Sequence, residues 1–71
     1  MDKKFIYKQI GKNIAKFRQK KGYTQESLAE LMDKSWSSIA KMETCGKNIT
    51  IGKLIDIAQY LEIDFREFLK W

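Results

Sequence analysis

Few side chains in this chain of 71 residues could perform covalent chemistry. It contains no histidine and one cysteine, Cys45, so the commonest carriers of acid–base and metal chemistry are missing. A lone cysteine forms no internal disulfide and reads as a small, half-buried filler. The carboxylates Glu26 and Glu30 stand one helical turn apart, an ordinary spacing on a solvated helix face. There is no glycine-rich phosphate loop and no nucleophile–base pair. Enzymatic activity is therefore not expected, and neither a cofactor nor a metal is implied.

What remains is noncovalent chemistry. Residues 1–23 carry eight Lys/Arg against the single acid Asp2, whereas residues 24–71 carry six basic and eight acidic residues. Such asymmetry points to an anionic partner, a nucleic acid or a membrane surface, although lysines on an outer helix face also serve plain solvation. The stretch "SWSS" at 35–38, followed by Lys41, offers hydroxyls, one indole and an ammonium group. These groups hydrogen-bond and pack; they do not react.

The elements that position these groups can be read from spacing. Ile6, Ile10, Ile14 and Phe17 step by four, four and three, one face of a first helix that ends at Gly22. A membrane-surface role for this basic helix conflicts with Ile14 and Phe17 belonging to a core. Hydrophobic staples mark three further starts: Tyr23-Thr24 with Leu28, Ile49-Thr50 with Leu54, and Ile63-Asp64 with Phe68. Glu67 after Asp64 adds a capping-box pattern to the last of them. Ser35 is a further cap candidate without a staple, because Lys34 fills that slot.

Five helices follow, near 5–21, 25–32, 36–44, 51–61 and 65–70, in one all-α domain spanning 1–71. No apolar run approaches the ~20 residues of a membrane span, and no signal-peptide core follows the N-terminal lysines. A cytoplasmic protein without a membrane segment is the expectation.

In the second helix Leu28, Leu31 and Met32 are expected inward, with Ala29 permitting close approach of a neighbour. The turn "DKS" is three residues long, so the second and third helices must cross steeply. With Ile39 and Met42 buried, a rotation of roughly 100° per residue points Ser37 and Lys41 away from the core. Trp36 and Ser38 then lie on the two flanks. The fifth segment, with Phe65, Phe68, Leu69 and Trp71, either folds back on the core or covers a second copy of the chain.

From about Ile10 to Ile63 the chain resembles the lambda-repressor-like (Xre-type, Cro-like) helix-turn-helix DNA-binding domain family. The resemblance is carried by "IGKNIAKFRQKKGYTQESLAE", "SSIAKME" and "GKNITIGKLIDIAQYLEI". It implies a compact five-helix fold with a helix-turn-helix core at about 24–44, the third helix in the major groove and the second across the backbone. It further implies a transcriptional regulator of double-stranded DNA, a repressor acting as a homodimer on a near-palindromic operator.

Roles follow from the same resemblance. Gln25 would bind a phosphate with the help of backbone amides, and Ser35, Trp36, Ser37, Ser38 and Lys41 would form the reading surface. Lys47 and Asn48 would hold the other flank of backbone. Arg18 and Glu43 would form an internal salt bridge; without the resemblance they are two unrelated charges. Phe65, Phe68, Leu69 and Trp71 are candidate dimer contacts. The chain departs from the family pattern at Asp33, Lys34, Cys45, Ile49 and above all Trp36, a slot usually held by a residue able to hydrogen-bond a base edge. Trp36 could touch DNA, pack into the core or meet a protein. The alternative function is accordingly a protein-interaction module, antitoxin-like or anti-repressor, on the same scaffold.

Overall fold

The computed structural model describes residues 2–44 and 49–71. Four α-helices appear in order: α1 (Lys3–Lys20), α2 (Gln25–Leu31), α3 (Trp36–Thr44) and α4 (Ile51–Leu61). A 3-10 turn, Phe65–Leu69, follows them. The expected fifth helix is therefore corrected to a 3-10 turn, and two features explain it. Five residues give too little propagation to offset the nucleation of an α-helix, a length at which 3-10 geometry is usual. The Asn13 side chain on α1 also donates to the carbonyls of Phe68 (2.9 Å) and Lys70 (2.8 Å), anchoring the segment crosswise. The capping box expected there is absent too. Asp64 accepts from the Arg66 amide at 2.9 Å, and Glu67 pairs with Lys70.

The start of α1 lies at Lys3, two residues earlier than the apolar spacing indicates, because the Asp2 carboxylate accepts from the Lys4 amide at 2.9 Å. The α2 start carries a capping box: Thr24 Oγ1 accepts from the Ser27 amide, and Ser27 Oγ accepts from the Thr24 amide. Thr50 Oγ1 caps α4 through the Lys53 amide.

Three helix ends share one motif. The amide after each left-handed residue reaches back five positions: Tyr23 to Arg18, Lys34 to Ala29, and Ile63 to Ala58. The left-handed residues are Gly22, Asp33 and Glu62, with φ of 85°, 55° and 58°. This double-bonded termination satisfies carbonyls that a helix end otherwise leaves open. At Asp33 it lets α2 turn sharply into α3.

The core joins Ile10 and Ile14 of α1, Leu28, Ala29 and Met32, Ile39 of α3, and Leu54, Ile57, Ala58 and Leu61 of α4. Phe68 closes it from the 3-10 turn, fully buried and edge-on to Phe17 at 6.0 Å. Leu31 corrects an expectation: it is 46% exposed. Helix α2 packs mainly on α3, and Leu31 falls off the Leu28–Ala29 stripe that faces it. Gly11 sits where α1 meets the end of α3. A Cβ there would lie 2.5 Å from the Glu43 carbonyl oxygen and 2.7 Å from that of Met42, so the helices touch backbone to backbone.

Candidate nucleic-acid interface

The site is built outward from α3. Ile39 is fully buried and Glu43 is buried one turn later, which fixes the rotation of the helix about its axis. Ser37 and Lys41 consequently stand exposed on the opposite side, and Trp36 is 55% exposed at the first helical position. Ser38 is half-buried on the flank nearer α4. Ser35 closes the N-terminus: its Oγ accepts from the Ser38 amide at 3.2 Å and lies 2.9 Å from Ser38 Oγ and 3.2 Å from Ser37 Oγ. The serine hydroxyls thus form a small polar cluster at the head of the helix.

On the flank toward α2 a chain of hydrogen bonds runs from the core to the surface. Arg18 holds Glu43 with two contacts, Nε to Oε2 at 2.6 Å and Nη2 to Oε1 at 3.1 Å. Arg18 Nη1 also donates to the Tyr23 carbonyl at 2.8 Å. Gln25 Nε2 donates to Glu43 Oε1 at 2.9 Å, and Trp36 Nε1 donates to Gln25 Oε1 at 3.1 Å. Both partners of the ion pair are buried, and the pair ties α1 to α3 across 25 residues of chain. A buried pair of this kind adds little over an apolar pair, but losing one partner leaves an uncompensated charge.

The other flank differs. Between α3 and α4 lies a groove of about 230 Å³ lined by Met32, Lys34, Ser38, Lys41, Met42 and Lys53, among others. Its floor is apolar and its rim holds three lysines facing one carboxylate, Asp56. Among the described residues none of these three lysines forms an ion pair. Lys34 and Lys53 were not singled out from the sequence. Only the juxtaposition of the turn with the first turn of α4 places them beside Lys41.

Of the remaining sequence candidates, Lys47, Asn48 and Cys45 lie outside the described residues. The four aromatic and apolar residues of the last segment do not form one surface. Phe68 is fully buried in its own core and Phe65 is partly buried, while Leu69 (39%) and Trp71 (52%) are exposed. Gln25, expected on a phosphate, has both ends of its amide engaged within the chain, with one Nε2 hydrogen left over.

A sequence profile described as helix-turn-helix matches residues 14–68, most of the chain and the whole of the α2–α3 unit. The chain belongs to the helix-turn-helix family. This helix-turn-helix protein is of the lambda-repressor-like, Xre-type branch. It is 33% identical over 61 residues to an uncharacterized HTH-type transcriptional regulator of Rickettsia conorii (strain ATCC VR-613 / Malish 7). The match covers 86% of this chain but 49% of that relative, so the chain spans about half the length of the curated relative it matches.

Solved structures of two restriction-modification controller proteins superpose on the helix-turn-helix protein. A variant of C.Esp1396I matches at 34% identity and TM-score 0.83, covering 92% of this chain and 91% of that one. C.AhdI from Aeromonas hydrophila matches at 27% identity and TM-score 0.79, covering 87% and 94%. The DNA-binding domain of BldD shares the fold at TM-score 0.85 and 19% identity, covering 99% and 100%.

Proposed function

We propose that this chain is a sequence-preferring, double-stranded DNA-binding regulator of transcription that places α3 in the major groove. The observation that carries this reading is the orientation of α3. Burial of Ile39 and Glu43 leaves Ser37, Lys41 and Trp36 standing outward in a chain of the helix-turn-helix family. An α-helix fits the major groove, and residues near its N-terminus reach base edges.

In this reading Ser35, Ser37 and Ser38 offer short hydrogen bonds at the groove floor, and Lys41 adds a charged donor. The hydrogen left on Gln25 Nε2 faces the phosphates on one side. Lys34 and Lys53 face them on the other, with Lys47 and Asn48 assigned there by the family resemblance. Serines lack the bidentate geometry of an arginine–guanine pair, so phosphate contacts and groove shape carry much of the preference.

The regulator acts as a repressor and a dimer, with two copies of α3 about 34–36 Å apart on a near-palindromic site. The exposed Leu69 and Trp71 are the proposed contact between copies, braced from beneath by Phe65 and Phe68. Sedimentation at micromolar concentration tests this, and a persistent monomer removes it.

Selection of bound duplexes from a random pool tests the reading as a whole. An enriched site with two related halves, and affinity that falls with salt as counterions are released, is the expected result. A chain with no salt-dependent affinity for any duplex would instead direct the exposed Trp36 to a protein partner.

A further inference from the structure

We infer that Trp36 discriminates bases by contact with a pyrimidine C5-methyl group and not by a hydrogen bond. The inference rests on the DNA-binding reading above and specifies what one residue of that surface recognises.

An indole has a single polar hydrogen, on Nε1, and no acceptor. In this chain that hydrogen is donated to Gln25 Oε1 at 3.1 Å. Gln25 cannot reverse its amide to release it. Its Nε2 donates to Glu43 Oε1 at 2.9 Å, and a carboxylate only accepts. Turning the amide over would set oxygen against the Glu43 carboxylate and N–H against the N–H of Trp36. Glu43 is in turn pinned by Arg18, and Arg18 by the Tyr23 carbonyl. Donor and acceptor roles are therefore assigned from the core outward, and the series ends at Trp36 with its donor occupied.

What Trp36 presents beyond that bond is carbon. The residue is 55% exposed and is the first of α3, where base edges are reached. In the major groove the purine N7, the guanine O6, the thymine O4 and the amino groups of adenine and cytosine all need a polar partner once water leaves. The C5-methyl group does not, and burying it against an aromatic face is favourable by about 0.8 kcal/mol per carbon, roughly a fourfold change in affinity. Thymine carries this methyl, and so does 5-methylcytosine. Gln25 acts here as a positioning residue, holding the ring through its Oε1.

The test uses the whole chain and a duplex recovered from the random pool. Each thymine is replaced singly by deoxyuridine, and each cytosine by 5-methylcytosine, with affinity followed by fluorescence anisotropy at fixed salt. The expected result is at least one position per half-site where the methyl group strengthens binding about fourfold. A loss with deoxyuridine identifies thymine as its source, and a gain with 5-methylcytosine identifies the methylated base. Trp36→Phe keeps an aromatic face but loses the bond to Gln25 Oε1, so it should shrink the methyl effect, as should Gln25→Ala by releasing the ring, whereas Trp36→Gln should abolish it. An enriched site with no methyl-sensitive position overturns the inference and leaves the DNA-binding reading standing. Failure to enrich any duplex overturns both. The overturning result is read from the base replacements alone and needs no variant, whereas assignment of the methyl effect to Trp36 is read from Trp36→Gln, whose fold is checked by its thermal unfolding.

Discussion

The two flanks of α3 are built on different principles. Toward α2, each polar atom from Arg18 to Trp36 has a partner at a set distance, and the line ends in a ring whose orientation is fixed. Toward α4, Lys34, Lys41 and Lys53 rim an open groove and form no ion pair among the described residues. Discrimination between bases needs atoms held in register, whereas attraction to phosphates needs only charge within reach. On the DNA-binding proposal, the α2 flank supplies selectivity, and Lys34 and Lys53 on the other flank supply strength. Flexible lysines suit the second task, because a hydrated ammonium tolerates variable geometry.

The comparison breaks most visibly at its buried root. Glu43→Ala should destabilise the domain by about 3–5 kcal/mol in urea denaturation, since Arg18 is left charged and enclosed. Replacing Arg18 and Glu43 together by apolar residues should recover much of that loss. A loss below about 1 kcal/mol for Glu43→Ala would mean that the flank is held by something other than the pair.

On the opposite flank, combined substitution of Lys34 and Lys53 by alanine should lower affinity for every duplex alike. The salt dependence should flatten by about one unit of slope for each lost phosphate contact. Stability should stay within about 0.5 kcal/mol of the parent, as for surface changes generally. A change in the preferred sequence would end the division between flanks.

Asp33→Gly acts on the hinge that both flanks share. At φ 55° glycine is more comfortable than aspartate, so a gain below about 1 kcal/mol is expected with site preference unchanged.

The smallest effect contrasts the enclosed ion pair with an open one. Asp64 and Arg66 pair at 2.7 Å in solvent. Hydrogen bonds from the Arg66 side chain and then its backbone lower the Asp64 pKa from the ordinary 3.8 to about 2. The folded value lies below the unfolded one, so any contribution is complete above pH 3.8 and lost as pH falls through about 2. NMR titration should find that midpoint, and Arg66→Ala should return it toward 3.8.

The sequence was most informative where a signal was local. The staples before Leu28 and Leu54 placed the starts of α2 and α4 within a residue, and helical rotation placed Ser37 and Lys41 outside. Tertiary features carried no such mark. Asn13 looks like any polar residue of α1 until the carbonyls of Phe68 and Lys70 are brought to it. The bond between Gln25 and Trp36 spans 11 residues, and nothing in either residue announces it. The last segment misled because its cap and apolar pattern suit a helix, while its length and the Asn13 anchor do not.

Gly11 has a consequence that reaches the proposed DNA surface without touching it. Since even a methyl group there would collide with carbonyls of α3, the tilt at which the reading helix leaves the body is set by a hydrogen atom on α1. Size at position 11 is thus a wedge setting for the whole interface. Enlarging it should swing Trp36 and Ser37 together, altering how the protein seats on a duplex while every contacting side chain stays the same.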